Sequence, residues 1–157
     1  ELAKKIEENS KYFISIFEIE RKDCDRVRKD FINFSTVWSE IEYFFNLNFK
    51  KENFKEVLPN INLEDAKQIV EDFIKSYNEN STKEEWFENV KNLASKYNYA
   101  TNGKEYQANP EKYNGGIADF VAIFRYLLTG RKNSPDLYSI MKVLGKEESF
   151  KRLNILQ

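Results

Sequence analysis

The sequence predicts an all-α protein, multihelical, with two packed helical subdomains. Apolar residues recur at helical spacing through most of the chain, and no alternating apolar–polar segment of strand length stands out. Residue types that start and stop helices bracket the periodic stretches. Thirteen Phe and nine Tyr within 157 residues supply core material for one compact domain or two small subdomains sharing a core. That aromatic content argues against disorder, so the 32% of charged residues belongs on solvated faces.

The first helix is expected from Leu2 to about Ile19, with Ile6, Phe13, Ile16 and Phe17 inward. A second should run through Cys24 to Phe31, and a third from Ser35 or Thr36 through Trp38, Ile41, Phe44 and Phe45. The loop that follows, Asn46 to Leu58, ends at Pro59. Asn62 is a good N-cap for a helix from Leu63 to Tyr77, and Glu64 and Asp65 in its first turn favour the positive end of the dipole. Ser81-Thr82-Lys83-Glu84 reads as a capping box opening a helix with Trp86, Val90, Leu93 and Tyr97 inward. Asn78-Glu79-Asn80, between these two helices, is the expected joint between subdomains 1–78 and 79–157. A polar, aromatic-studded connection from Asn98 to Asn114 leads to Gly115-Gly116 and an apolar helix from Ile117 to Thr129. Two short helices, from Pro135 and from about Lys146, finish the chain.

Several function classes are disfavoured. Histidine is absent, which removes His-based acid–base chemistry, Ser–His and Cys–His nucleophile pairs, and nearly every zinc ligand set. Gly103-Lys104 and Gly145-Lys146 lack the preceding glycine loop of a nucleotide site. Carboxylates sit mostly three or four residues from lysines, the pattern of solvated helix faces. Cys24 is alone, so no internal disulfide forms, which fits a reducing cytoplasm. No run approaches the roughly 20 apolar residues of a membrane span, and Phe120 to Leu128 is interrupted by Arg125. The first residues form no signal peptide, and a start without Met reads as a fragment of a longer protein.

Charge is nearly balanced overall but unevenly placed. Residues 31 to 115 carry 10 basic and 14 acidic side chains, whereas residues 116 to 157 carry 7 and 4. Lysines outnumber arginines 19 to 6, so each arginine carries more information than a lysine. Gly130 is placed to end the apolar helix in a left-handed turn, Ser134 to cap the next helix, Pro135 to take its first position, and Asp136 to complement the dipole. The short loop between, with Arg131, Lys132 and free backbone N–H groups, would be a rigid donor-rich surface for phosphate or single-stranded bases. Arg125, one turn before Thr129, reaches the same surface with a planar five-donor fork. On chemistry alone the alternative stands that Arg125 snorkels from an apolar face and that Arg131 and Lys132 offset a helix C-terminus. A helical protein-interaction module with a basic edge would use the same residues.

The segment YNGGIADFVAIFRYLLTGRKNSPDLYSIMKVLGKEESFKRL, Tyr113 to Leu153, resembles the C-terminal end of bacterial glutamyl-tRNA synthetases. In that family the last helices carry Leu-Arg-x-Ala-Leu-Thr-Gly, a polar loop, Ser/Thr-Pro-x-Leu-Phe/Tyr, a short apolar helix and Leu-Gly-Lys/Arg-Glu. Upstream, RKDFINFSTVWSEIEYFF, Arg28 to Phe45, is similar to the family's basic helix pair. The resemblance implies a class I synthetase anticodon-binding region without catalysis of its own. It needs no cofactor here, because the catalytic Rossmann domain with its ATP and Mg would precede Glu1 in the same chain. The implied partners are tRNA-Glu and that catalytic domain, in a cytoplasmic monomer that touches no membrane.

Residue by residue, the resemblance gives Arg125 the first anticodon base, and Ser134, Pro135 and Leu137 the middle one. It places Lys91 near the anticodon loop; Arg28, Lys29, Arg131 and Lys132 are the cations expected at phosphates or loop. Tyr126 and Tyr138 are candidate stacking platforms or core. Asp30 occupies a site where synthetases that reject tRNA-Gln often carry an arginine. A carboxylate accepts hydrogen bonds from the amino group of either C or G, so the expectation is a parent enzyme that accepts tRNA-Gln as well.

Overall fold

A computed structural model describes residues 6–29, 31, 33–45 and 53–156. Among these there is no strand; the sole β-type pairing is an isolated bridge between Ala100 and Gly116. The helices are α1 Ser10–Glu18, α2 Phe34–Ile41, α3 Phe54–Val57, α4 Leu63–Ser76, α5 Lys83–Lys96, α6 Gly103–Ala108, α7 Ile117–Thr129 and α8 Leu137–Leu153. Short 3₁₀ turns follow at Glu42–Phe44, Pro110–Lys112 and Asn154–Leu156. No helix among the described residues is long and apolar enough to cross a membrane.

The expected helix from Cys24 to Phe31 does not form. Residues 21 to 29 are turns and bends, entered through Glu20 and Asp23, whose φ values of 53° and 52° lie in the left-handed region. The reason is burial: before Phe31, which is half-buried against Phe17, the segment offers only Cys24 and Val27 as apolar side chains, and both are exposed. A short helix without a packed face has little to hold it, since most helix stability in proteins comes from tertiary contact. The segment instead closes through Arg28 N–H donating to Glu20 O at 3.0 Å.

Elsewhere local chemistry sets the helix ends. Asn62 Oδ1 accepts from Glu64 N at 2.8 Å and Asp65 N at 3.4 Å. The capping box sits one residue later than expected, with Thr82 Oγ1 accepting from Glu85 N and Glu85 Oε2 accepting from Thr82 N. The polar connection after α5 holds α6 and a 3₁₀ turn. It closes on itself through Asn114 N to Asn98 O and Ala100 N to Gly115 O, both 2.9 Å.

The interior is built around α7. Phe120, Ile123, Phe124, Leu127 and Leu128 on that helix are fully buried. Phe124 meets Phe73 of α4 at 4.7 Å between ring centres, Phe73 meets Trp86 of α5 at 6.1 Å, and Tyr126 meets Phe54 of α3 at 6.1 Å. Buried residues from α1 to the last turn belong to one apolar cluster. The Asn78–Asn80 link therefore joins two helices, α4 and α5, that share a contact in that cluster. Helix α8 packs on α7 and α1, and it bends at Gly145, whose φ of 76° and ψ of 166° lie outside the helical region and suit glycine. The expected pair of C-terminal helices is thus present as two arms about one glycine.

Candidate nucleic-acid interface

The site lies where α7 hands over to α8. Gly130 closes α7 in the left-handed conformation, φ 70° and ψ 13°, with its N–H donating to Tyr126 O at 2.7 Å. Thr129 reinforces the turn: its hydroxyl donates to Arg125 O at 2.7 Å and accepts from Arg131 N at 3.2 Å. The N–H of Arg131, expected to be free, is consequently engaged inside the loop.

Ser134 is not the cap of α8. Asp136 takes that position, its Oδ2 accepting from Ser139 N at 3.0 Å and from Ser139 Oγ at 2.7 Å, while Oδ1 lies 3.1 Å from Lys83 Nζ of α5. The helix begins at Leu137, so Pro135 stands outside it. A carboxylate caps at least as well as a hydroxyl and adds favourable charge at the dipole's positive end, which decides the competition between neighbouring candidates. Asp136→Ala should lower folding stability by about 1 kcal/mol, whereas Ser134→Ala should change it by less than about 0.5 kcal/mol. Urea unfolding of the two variants checks this; equal losses would return the capping role to Ser134.

Freed from capping, Ser134 holds Arg125. Its Oγ accepts from Arg125 Nε at 3.1 Å and donates to Pro135 O at 2.9 Å. Arg125 is half-buried, and among the described residues no carboxylate pairs with it. Burial, and after it the nearby Arg28 charge, pull its guanidinium below the ordinary arginine value. A half-buried, aimed and uncompensated fork suits an anion or an acceptor-rich base edge.

The other sequence candidates fall in different settings. Leu137 is buried at 3% exposure, and Tyr126 at 4% belongs to the core. Tyr138 is half-buried and donates to Ser81 O at 2.9 Å, tying α8 to the start of α5. Arg28 is half-buried, with Nη1 3.2 Å from Glu20 Oε2; Lys29 and Lys132 are exposed. Lys91 pairs with Glu88 of its own helix at 2.6 Å and lies 4.9 Å from the Phe87 ring centre. Asp30 lies outside the described residues. Arg131 turns away from the loop: Nη1 is 3.2 Å from Glu40 Oε2, Nη2 is 3.5 Å from Glu42 Oε1, and Nη2 also donates to Ser39 O.

The anticodon binding domain model matches residues 1–156 of this sequence. The chain belongs to the anticodon binding domain family. Among similar proteins, a glutamate–tRNA ligase of Clostridium perfringens (strain SM101 / Type A) is 42% identical over 142 residues, 87% of this chain and 26% of that protein. A glutamate–tRNA ligase of Clostridium beijerinckii is 38% identical over 157 residues, 98% of this chain and 28% of that protein. One of Acetivibrio thermocellus is 30% identical over 156 residues, 99% and 28% respectively. The anticodon binding domain thus spans little more than a quarter of the relatives it matches. No solved structure matches it.

Residues that shape the candidate site of this anticodon binding domain but were not singled out in the sequence are Glu40, Glu42, Glu148 and Arg152. Arg152 is buried at 4% and donates to Tyr43 O and Leu128 O, both at 2.7 Å, with Nε 2.7 Å from Glu148 Oε1. Its i, i+4 spacing from Glu148 and its being one of six arginines were visible signals; its partners in α7 and the Glu42–Phe44 turn are not local.

Proposed function

We propose that this domain grips the anticodon stem-loop of tRNA-Glu as the C-terminal part of a glutamate–tRNA ligase whose catalytic portion, with ATP and Mg, lies elsewhere in the same protein. The observation that carries this reading is Arg125. A guanidinium kept half-buried beside a helix start, held by one hydroxyl and unpaired with any carboxylate among the described residues, is costly unless a ligand supplies the acceptors. An unstacked anticodon base presents those acceptors on its Watson–Crick edge, next to a phosphate.

In this reading Arg125 and Ser134 form the base-reading pair. Leu137, inside the core, contributes a fixed helix start, and the exposed cations Lys29 and Lys132 supply charge toward the RNA backbone. Residues 1–78 take the stem side and residues 79–157 the loop side. Acceptance of tRNA-Gln rests on Asp30 and enters from the sequence alone.

Arg125→Ala should weaken binding of an anticodon stem-loop RNA by about 1 to 3 kcal/mol, the usual value of a good base-edge contact, with little change in unfolding midpoint. Binding should also fall steeply with salt, because each neutralised phosphate releases counterions. The measurement is fluorescence anisotropy with a glutamate-anticodon stem-loop against the same stem carrying a scrambled loop. Equal affinity for the two RNAs would favour a protein-interaction module, and a variant that melts early yet binds normally would make Arg125 structural.

A further inference from the structure

Arg131 sits in the loop that faces the proposed RNA site, yet its donors are spent on another part of the molecule. Its side-chain partners among the described residues come from one short stretch at the end of α2 and the turn after it: Glu40, Glu42 and the Ser39 carbonyl, with the guanidinium carbon 5.4 Å from the Tyr43 ring centre. Behind it, buried Arg152 joins the same stretch, through Tyr43 O, to the end of α7, through Leu128 O. Two arginines, one just after α7 and one in the last turn of α8, thus fasten Ser39–Tyr43 to the end of α7.

Exposed ion pairs contribute little to stability, and Glu40 and Glu42 are 36% and 48% exposed, so stability alone is a poor reason for this fork. Carboxylates near an RNA face also repel phosphates. What a planar fork on three acceptors provides is direction, which a lysine could not reproduce. The loop it anchors is tied directly to Arg125, because the Thr129 hydroxyl accepts from Arg131 N and donates to Arg125 O.

We propose that Arg131 is a positioning residue rather than a phosphate ligand: with Glu40 and Glu42 it holds the α2 end against the loop, so that Arg125 keeps one aim toward the RNA. This rests on the anticodon stem-loop reading. The geometry makes the sign of one experiment decisive. Glu40→Gln with Glu42→Gln removes two negative charges, which on electrostatics alone tightens RNA binding; loss of the fastening weakens it.

The test measures binding of the 157-residue chain to the glutamate-anticodon stem-loop and to the scrambled-loop RNA, with unfolding midpoints alongside. The double Gln variant should bind the correct loop about fivefold more weakly at a nearly unchanged midpoint, with the scrambled RNA unaffected or bound slightly more tightly. Arg131→Lys, which keeps the charge and loses the fork, should lose a similar factor. Arg131→Ala and Arg125→Ala should combine to less than the product of their separate losses. Tighter binding by the double Gln variant, wild-type affinity in Arg131→Lys, or fully multiplicative losses would each overturn the proposal and make Arg131 a phosphate contact. Failure of the wild-type chain to distinguish the two RNAs would instead bring down the underlying reading, and the positioning role with it.

Discussion

Arg152→Ala should destabilise the fold by about 3 kcal/mol, near the lower end of the range for breaking a buried charged pair. The side chain is 4% exposed and its Nη1 serves two carbonyls, Tyr43 O and Leu128 O, that sit in different layers of the molecule. Removing the guanidinium strands both acceptors away from water, a desolvation cost that a small side chain cannot repay. Glu148 moderates the loss: at 38% exposure its carboxylate can rehydrate once its partner is gone. For the same reason Glu148→Gln should cost no more than about 1 kcal/mol. Urea unfolding at neutral pH measures both. A loss below about 1 kcal/mol for Arg152→Ala would mean that water replaces the guanidinium at both carbonyls, and the tie between the C-terminal helix and the Glu42–Phe44 turn would not be a stabilising element.

Phe73→Ala should cost about 3 to 5 kcal/mol, the range for truncating a fully buried aromatic. Phe73 has no exposed surface, and its ring touches three others: Phe124 at 4.7 Å, Tyr77 at 5.8 Å and Trp86 at 6.1 Å between centres. Those neighbours belong to α7, to the end of α4 and to α5, so no single helix can shift to fill the space without pulling on the others. The cavity therefore persists and adds to the lost transfer free energy. Phe73→Leu, which refills most of the volume, should lose less than about 2 kcal/mol. If Ala and Leu prove equally mild, the three-helix junction relaxes freely and is not close-packed as the ring contacts indicate.

Both residues show where sequence reasoning stopped. Phe73 belongs to a clear helical period, and the helix around it, from its Asn62 cap to Ser76, lies within one residue of expectation because cap and period act locally. Its contact with Trp86 and Phe124 requires knowing how α4, α5 and α7 cross. Arg152 was visible only as one arginine among six. That it is buried, and that it reaches the turn after α2, depends on a contact more than a hundred positions away in the chain.

The candidate site divides in the same way. The Gly130 turn and the general placement of Arg125 beside Ser134 follow from local rules, because a left-handed stop and a helical i, i+4 reach need no distant partner. Of Ser134 and Asp136, two residues apart, it is Asp136 that caps α8, and its carboxylate also pairs with Lys83 of α5, a long-range contact that favours it over Ser134. The direction of Arg131 was settled by Glu40, Glu42 and the Ser39 carbonyl, again distant in sequence. The Cys24 to Phe31 segment fails as a helix for a tertiary reason too, since Val27 and Cys24 stay exposed and only Phe31 reaches the core.

The sequence by itself determined the all-α class, the bounds of α4, α5 and α7 to within about a residue and the family resemblance, because these rest on periodicity, capping and short motifs that a chain carries wherever it folds. Only the tertiary structure decided which cations are left for a ligand. A guanidinium binds whatever acceptors surround it, and those acceptors are brought together by packing between helices far apart in the chain: Arg152 is consumed in the interior, Arg131 at the junction with α2, and Arg125 stays held and aimed beside Ser134.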